Sequence, residues 1–271
     1  MMIKPKLPQW RKMRQDPEET MDGRGLSLNR IIPNIVTIFA LCAGFSAIRF
    51  AMEGKWHEAV IAIVVACIFD ALDGRIARLM GGGTPFGAQL DSLSDVVAFG
   101  VVPSLMIYFW STDALGRIGW AATLIFVVCC AVRLARFTAQ TYDPDMPSYA
   151  YNYFSGVPTP AGAGLALLPL ILSFEVGDEI LRNPYLNAAW LVVISVLMIS
   201  KIPTFAVKKV KIRQGYLRFI LVAAGVLATL LVTEPWFTLT AIGLAYLAAI
   251  PFSYQSFNRL AKETPVEEME A

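Results

Sequence analysis

Charge is what this chain is short of. Only 16% of its 271 residues are Asp, Glu, Lys or Arg, against about 25% in an average soluble domain. That shortage excludes a disordered chain and argues against a soluble two-domain enzyme, whose exterior needs more charge. Histidine is almost missing. His57 stands alone, which excludes a multi-histidine metal site and a Ser-His-Asp site with any further histidine role. The four cysteines, Cys42, Cys67, Cys129 and Cys130, lie in apolar stretches and form no CxxC pair, so they read as packed thiols. There is no P-loop and no GxGxxG following a strand. Residues 1–30 are charged and contain Pro where a signal peptide would have a short apolar run, so no signal peptide is expected.

What the chain has in abundance is apolar surface: 56% hydrophobic residues, with 16 Phe, 9 Tyr and 6 Trp, and a mean hydropathy of +0.56. The expected class is a polytopic, all-α membrane helix bundle. A spanning helix needs about 20 mostly apolar residues. Eight segments qualify, roughly 33–52, 56–79, 90–110, 118–137, 158–175, 186–206, 216–233 and 236–255. The fifth is short and rich in Pro and Gly, which leaves open whether 156–175 crosses fully. Between the last two, Pro235 follows Thr233-Glu234 and is placed to open the final helix.

The formal net charge of +2 says little; where the charges sit says more. With the N-terminus in the cytoplasm, 19 of the 23 Lys and Arg fall on the inner side. The outer side keeps only Arg49, Lys55, Arg117 and Arg182, beside Glu175, Asp178, Glu179 and Glu234. Both termini are then cytoplasmic, as the positive-inside rule and an even number of spans require. Residues 10–30 read equally well as an interfacial helix anchored by Trp10 or as a cytoplasmic tail. The expected layout is an N-terminal segment over 1–30, a membrane domain over 31–256 and a cytoplasmic tail over 257–271. No nucleic-acid partner is expected.

Acidic residues avoid the apolar segments with one exception. Asp70 and Asp73 lie three apart near the end of the second span, and Asp91 and Asp95 four apart near the start of the third. Both spacings put the paired carboxylates on one helix face. Gly81-Gly82-Gly83-Thr84-Pro85 turns the chain between them, so four carboxylates can meet just inside one membrane surface. An Asp at mid-membrane costs about 2.5–3.5 kcal/mol on insertion scales, less near the interface, and four together repel. Two hard divalent cations, Mg²⁺ or Mn²⁺, would balance four negative charges and bridge a phosphate-bearing substrate. Gly74, Ala77 and Gly87 leave room beside the acids, and Arg78 is placed to fork a phosphate. The plain alternative is helix-end acids pairing with Arg75 and Arg78.

The order Asp70-x2-Asp73-Gly74-x2-Ala77-Arg78-x8-Gly87-x3-Asp91-x3-Asp95 resembles, without gap or substitution, the fingerprint of the CDP-alcohol phosphotransferases. The resemblance implies a membrane enzyme with a six-helix core, here plus two helices, that displaces CMP from a CDP-linked donor with an alcohol. It implies that Asp70, Asp73, Asp91 and Asp95 hold two divalent ions, with Asp95 also the general base. It places Gly74, Arg78 and Thr84 at the CDP moiety, with Gly87 beside them. Pro33-Asn34-Ile35-Val36-Thr37 resembles the segment lying near the nucleotide, which brings in Asn34 and Thr37. A homodimer is likewise implied, and the charge layout puts the active site on the cytoplasmic face of the cytoplasmic (inner) membrane.

Three further segments bear on the acceptor: Arg133-Leu134-Ala135-Arg136-Phe137, Gly156-Val157-Pro158-Thr159-Pro160-Ala161 and Lys201-Ile202-Pro203-Thr204-Phe205. They are similar to the integral-membrane branch that joins CDP-diacylglycerol to L-serine, although Thr138 stands where Asn is common and Gly162 interrupts a usual alanine series. A serine site needs a cation for the carboxylate. Arg133 and Arg136, three apart on one face, could supply it, as could Lys201; snorkelling anchors are the bland alternative. Other acceptors within the family, such as glycerol 3-phosphate, inositol phosphate or choline, remain rivals. From other classes, a divalent-cation transporter or a non-catalytic scaffold competes. A transporter fits poorly, because the acids cluster at one end beside Arg78, which would repel a passing cation.

Overall fold

The computed structural model describes residues 28–80, 84–141, 153–200, 203–205 and 217–263. Apart from 28–30, which open α1, the segment 10–30 with its two readings falls outside them, as do the Gly81-Gly82-Gly83 turn and Lys201. The chain is an all-α membrane helix bundle. Its helices are α1 (Leu28–Met52), α2 (Trp56–Leu79), α3 (Pro85–Asp95), α4 (Val102–Trp110), α5 (Arg117–Thr141), α6 (Thr159–Ala166), α7 (Leu168–Val176), α8 (Asp178–Leu181), α9 (Pro184–Ile199), α10 (Leu217–Thr233) and α11 (Pro235–Glu263). Among the described residues, Ile31–Met52, Pro85–Trp110, Arg117–Thr138, Thr159–Val176 and Pro235–Phe252 are long and apolar enough to cross a membrane. Pro184–Ile199 and Arg218–Thr233 are apolar but shorter. Helix α2 is long enough, with 24 residues; its acids and arginines make it less apolar than its neighbours.

Helices α1 and α2 form an antiparallel pair closed by the Glu53–Lys55 turn. There Glu53 accepts from Arg49 at 3.1 Å and from Lys55 at 2.7 Å, and these bonds hold its carboxyl below the ordinary value. Arg182 lies 3.9 Å from Asp178. Three of the four cations expected on the outer side thus face an acid, with Arg49 and Lys55 sharing Glu53.

Prolines set the interruptions. The third rod runs from Pro85 to Trp110 through a π turn at Val96–Val101, where the Val102 amide reaches back five residues to the Val97 carbonyl. Pro103 follows and has no amide to continue an α-helical ladder; Ser104 instead donates to the Gly100 and Val101 carbonyls, each at 2.9 Å. Two glycines let backbones close on this turn. A Cβ at Gly44 would sit 2.7 Å from the Ala98 Cβ, and one at Gly100 would sit 2.9 Å from the Cys130 sulfur. Small residues at such crossings are how membrane helices approach without a hydrophobic drive.

The expected span 158–175 is two helices rather than one. Pro169 cannot donate to the Leu165 carbonyl, so the ladder breaks and α6 passes to α7 at Leu167. The Trp190 indole, on α9, takes up that carbonyl at 2.7 Å. The expected span 186–206 also ends early. Pro203 disfavours helix at the residue before it, α9 stops at Ile199, and Pro203–Phe205 forms a short strand, β2. It pairs antiparallel with β1 (Tyr153–Ser155), in the register Tyr153 to Phe205 and Ser155 to Pro203. This strand pair is a local addition to an otherwise helical expectation. Helix α11 runs on past the expected 255 to Glu263.

The main core joins Trp110, Phe126, Met106, Leu170, Leu191, Ile194 and Met198 across α4, α5, α7 and α9. Replacing Trp190 by Phe keeps the ring but strands the Leu165 carbonyl in a region without water. A loss of about 1–3 kcal/mol is expected, read as a lower thermal midpoint of the detergent-solubilised protein; an unchanged midpoint would remove Trp190 as the support of the helix break.

Candidate active site

The site end of the bundle is where α2 finishes, α3 begins and α1 enters. Thr84 caps α3: its hydroxyl accepts the Gly87 amide at 3.0 Å, and Pro85 occupies the first turn, where no amide is needed. That cap aims the α3 face bearing Asp91 and Asp95 at the last turns of α2. One carboxylate oxygen from each of Asp70, Asp91 and Asp95 lies within 4.8 Å of the others, and all three residues are half-buried. Asp73 stands apart from this triad. It is 5% exposed, and its Oδ2 accepts the Thr37 hydroxyl at 2.7 Å.

Asp73 and Asp91 line a cleft of about 180 Å³ together with Pro33, Asn34, Thr37, Gly74, Ala77, Thr84, Gly87 and Ala88. The Cα of Gly74 faces open space, with nothing within 4 Å of a Cβ built there. Gly87 is the reverse case, since a Cβ would meet the Asn34 Oδ1 at 2.7 Å and the Thr84 hydroxyl at 3.2 Å. About one helical turn from Asp70 and Asp95, Ala66, Ala98 and Phe99 join Ala163 in a small apolar cluster, with Cys67 packed against it. Hard oxygen donors such as these carboxylates fit a hard divalent cation.

Of the residues singled out in the sequence, Asp70, Asp91 and Asp95 are brought together. Asn34, Thr37, Asp73, Gly74, Thr84 and Gly87 line the adjoining cleft. Arg78 is exposed and turned back on its own helix, its Nε donating to the Gly74 carbonyl at 2.8 Å. Arg133 is 7% exposed and donates Nη1 to the Thr159 hydroxyl. Arg136 donates to the carbonyl of Ile199, the last residue of α9, at 3.1 Å. Two neighbours had no individual signal in the sequence. Ser94 reaches across to the Thr37 carbonyl at 3.4 Å, and Thr159, noted only within a longer segment, is the partner of Arg133. A larger open depression of about 630 Å³ lies at the far end, against Trp110, Asp113, Asp178, Glu179 and Arg182. It holds none of the converging aspartates, and Arg182 there is engaged by the Trp110 carbonyl at 2.7 Å.

A membrane helix bundle with carboxylates gathered beside a cleft at one end has the parts that a membrane-embedded phosphoryl-transfer enzyme needs. The comparison with known families gives the same class a name: residues 30–250 match the CDP-alcohol phosphatidyltransferase family, and the chain belongs to that family. Curated relatives named CDP-diacylglycerol–serine O-phosphatidyltransferase include one from Mycobacterium tuberculosis, 35% identical over 90% of this chain and 84% of that protein. Others are from Helicobacter pylori, 38% identical over 67% of this chain and 74% of that protein, and Methanocaldococcus jannaschii, 38% identical over 63% and 72%.

Gly87→Ala tests the cleft. The added methyl must displace the Asn34 side chain, and KM for the CDP-linked donor should rise about 5–10-fold, the equivalent of roughly 1 kcal/mol. Steady-state kinetics on the purified variant reads this directly, and an unchanged donor KM would put the nucleotide elsewhere.

Proposed function

We propose that this enzyme transfers the phosphatidyl group of CDP-diacylglycerol to L-serine, giving phosphatidylserine and CMP. The observation that carries the phosphoryl-transfer part is the triad of Asp70, Asp91 and Asp95 beside a cleft lined by small residues. Serine is supported by the names of the relatives and by Arg133, a buried cation on the helix that packs against the turn following Asp95. A buried guanidinium favours an anionic ligand, and a carboxylate matches its fork.

In this reading Asp70, Asp73, Asp91 and Asp95 would hold two divalent ions, Mg²⁺ or Mn²⁺, with Thr37 orienting Asp73 through its hydroxyl. Bound there, the ions would polarise the phosphoryl oxygens and stabilise the departing CMP. The chain supplies the rest. The cleft between Asn34, Thr37, Gly74, Thr84 and Gly87 receives the CDP moiety, and the open space over Gly74 allows a phosphate to approach the backbone. Arg78, at the exposed end of α2, exchanges its contact with the Gly74 carbonyl for a phosphate oxygen. Arg133 holds the serine carboxylate, and Arg136 beside it fastens the end of α9. Asp95 accepts the proton of the serine hydroxyl as its oxygen attacks the lipid-linked phosphorus. The apolar cluster of Ala66, Ala98, Phe99 and Ala163 near the acids helps to keep water, the competing nucleophile, away from the reacting atoms.

The charge distribution supports eight crossings, with both termini and the site on the cytoplasmic side of the inner membrane. Serine would then enter from the cytoplasm, and CMP leave to it, while the acyl chains of CDP-diacylglycerol stay in the bilayer. A homodimer is part of the same proposal, on the strength of the family resemblance.

Detergent-solubilised enzyme, CDP-diacylglycerol and a panel of alcohols test this reading. CMP release should require Mg²⁺ or Mn²⁺, stop on chelation and resume when the metal returns. It should proceed with L-serine and fail with glycerol 3-phosphate, inositol phosphate and choline. Asp95→Asn should lower turnover by about 10²–10⁴-fold, the range for loss of a general base, while CDP-diacylglycerol still binds. Turnover of that variant at the wild-type rate would remove the base assignment, and release with a different alcohol only would overturn serine.

A further inference from the structure

Two contacts between α5 and the third rod set Arg133 level with the acids. The Ser92 hydroxyl lies 3.4 Å from that of Thr138, and a Cβ at Gly100 would sit 2.9 Å from the Cys130 sulfur. Asp95 falls between Ser92 and Gly100 on one rod, and Arg133 between Cys130 and Thr138 on the other, so both stand on one stretch of the same interface. Arg133 is buried there, and the ion pairs found among the described residues are all at the far end of the bundle. An enclosed cation without a counter-charge is costly, and an anionic ligand offsets that cost.

The guanidinium is held from one side. Its Nη1 donates to the hydroxyl of Thr159, itself buried, while its Nε has no hydrogen-bond partner among the described residues. A guanidinium is a planar fork of five N–H donors. Nη1 is the nitrogen on the Cδ side, so fixing it leaves Nε and Nη2 together on the opposite edge, which can grip a carboxylate through two parallel bonds. Thr159 is in turn seated on α9. It lies midway between Gly156 and Gly162, and a Cβ would come within 2.4 Å of the Met198 carbonyl oxygen at the first and 2.8 Å of the Met198 sulfur at the second. The Val157 amide donates to the Leu197 carbonyl at 3.3 Å. Met198 is fully buried, so the segment that presents Thr159 rests on a side chain with no room to yield. A valine at 159 would fill the same volume; what the hydroxyl adds is its bond to Arg133.

We infer that Thr159 is a positioning residue of the acceptor site, which by fixing Nη1 of Arg133 presents the Nε–Nη2 edge to the carboxylate of the acceptor. The inference rests on the acceptor-binding reading of Arg133 and adds how that side chain is aimed. A guanidinium fixed in advance spares the ligand the freezing of a long, flexible side chain. The acceptor class this selects is a hydroxy acid, whose carboxylate spans the fork; an uncharged alcohol gains nothing from it.

The test is Thr159→Val in the full-length, solubilised enzyme, a change that keeps the shape and removes the hydroxyl. KM for L-serine should rise about tenfold, the scale of one hydrogen bond to a charged group. The turnover number and KM for CDP-diacylglycerol should stay within about twofold, a split that general loosening of the bundle would not produce. Thr159→Ser, which restores the hydroxyl, should bring serine KM back to within about twofold of wild type. An unchanged serine KM in Thr159→Val, a fall in turnover with both KM values raised, or no rescue by serine would overturn the inference. Arg133→Gln separates this from the underlying reading. If that variant leaves serine KM unchanged, the acceptor role of Arg133 fails and the role of Thr159 with it. If it raises serine KM and Thr159→Val does not, only the role of Thr159 fails. Added to Arg133→Gln, the valine should change serine KM by less than about twofold, because Thr159 acts through Arg133; a further tenfold rise there would overturn the inference too.

Discussion

Carboxylates facing one another at the end of a membrane bundle impose a condition on everything around them. At close range in a medium of low dielectric, like charges repel far more strongly than in water, so Asp70, Asp91 and Asp95 can share one small volume only with cations among them or with a hydrogen-bonded surround. The neighbouring structure leaves room for such cations. Small residues keep bulk away from the acids, Thr37 satisfies Asp73 from a third helix, and the cleft leaves one side open to ligand. Ala66, Ala98, Phe99 and Ala163 form an apolar cluster about one helical turn deeper in the bundle. A site of this kind holds charge in place while denying it water, which is the state in which electrostatic stabilisation is strongest.

The helices that carry those acids are held by breaks as much as by continuity. Pro103 sits at the end of the π turn, Pro169 divides α6 from α7, and Pro203 stands in β2 beyond the end of α9. At two of these breaks a side chain from another helix takes up what the backbone loses, Trp190 for Leu165 and Arg136 for Ile199, and beside the third Ser104 donates to Gly100 and Val101. In a membrane this substitution is obligatory, because no solvent stands ready to accept an orphaned group.

The same contrast explains what could be read from the residues alone. Asp70, Asp73, Asp91 and Asp95 were legible because helical spacing turns sequence distance into a face, and because charge is conspicuous in an apolar chain. The apolar rods were legible by length. Hidden were the contacts joining segments far apart in sequence, which leave no periodic trace: the Trp190 indole on Leu165, Ser94 on the Thr37 carbonyl, Thr159 under Arg133. The strand pair was hidden for a related reason, since three residues on each side are too few to show alternation. Arg78 marks a different limit. Its position on the helix follows from spacing, but its long side chain has several partners within reach and rests on the Gly74 carbonyl.

The π turn after Asp95 has a consequence for how the gene can change. In a regular helix each residue advances the side chains by about 100°, so one extra residue held in the wide turn lets the stretch before it and the stretch after it keep separate phases. The acidic face of α3 is thereby uncoupled from the core-facing side of α4, where Val102, Met106 and Trp110 are buried. Insertions and deletions elsewhere along this rod would swing either the acids out of the cleft or Trp110 out of the core. Within Val96–Val101 alone, the helix already stores a residue of slack, so this turn is where a change in chain length can be absorbed with both faces intact.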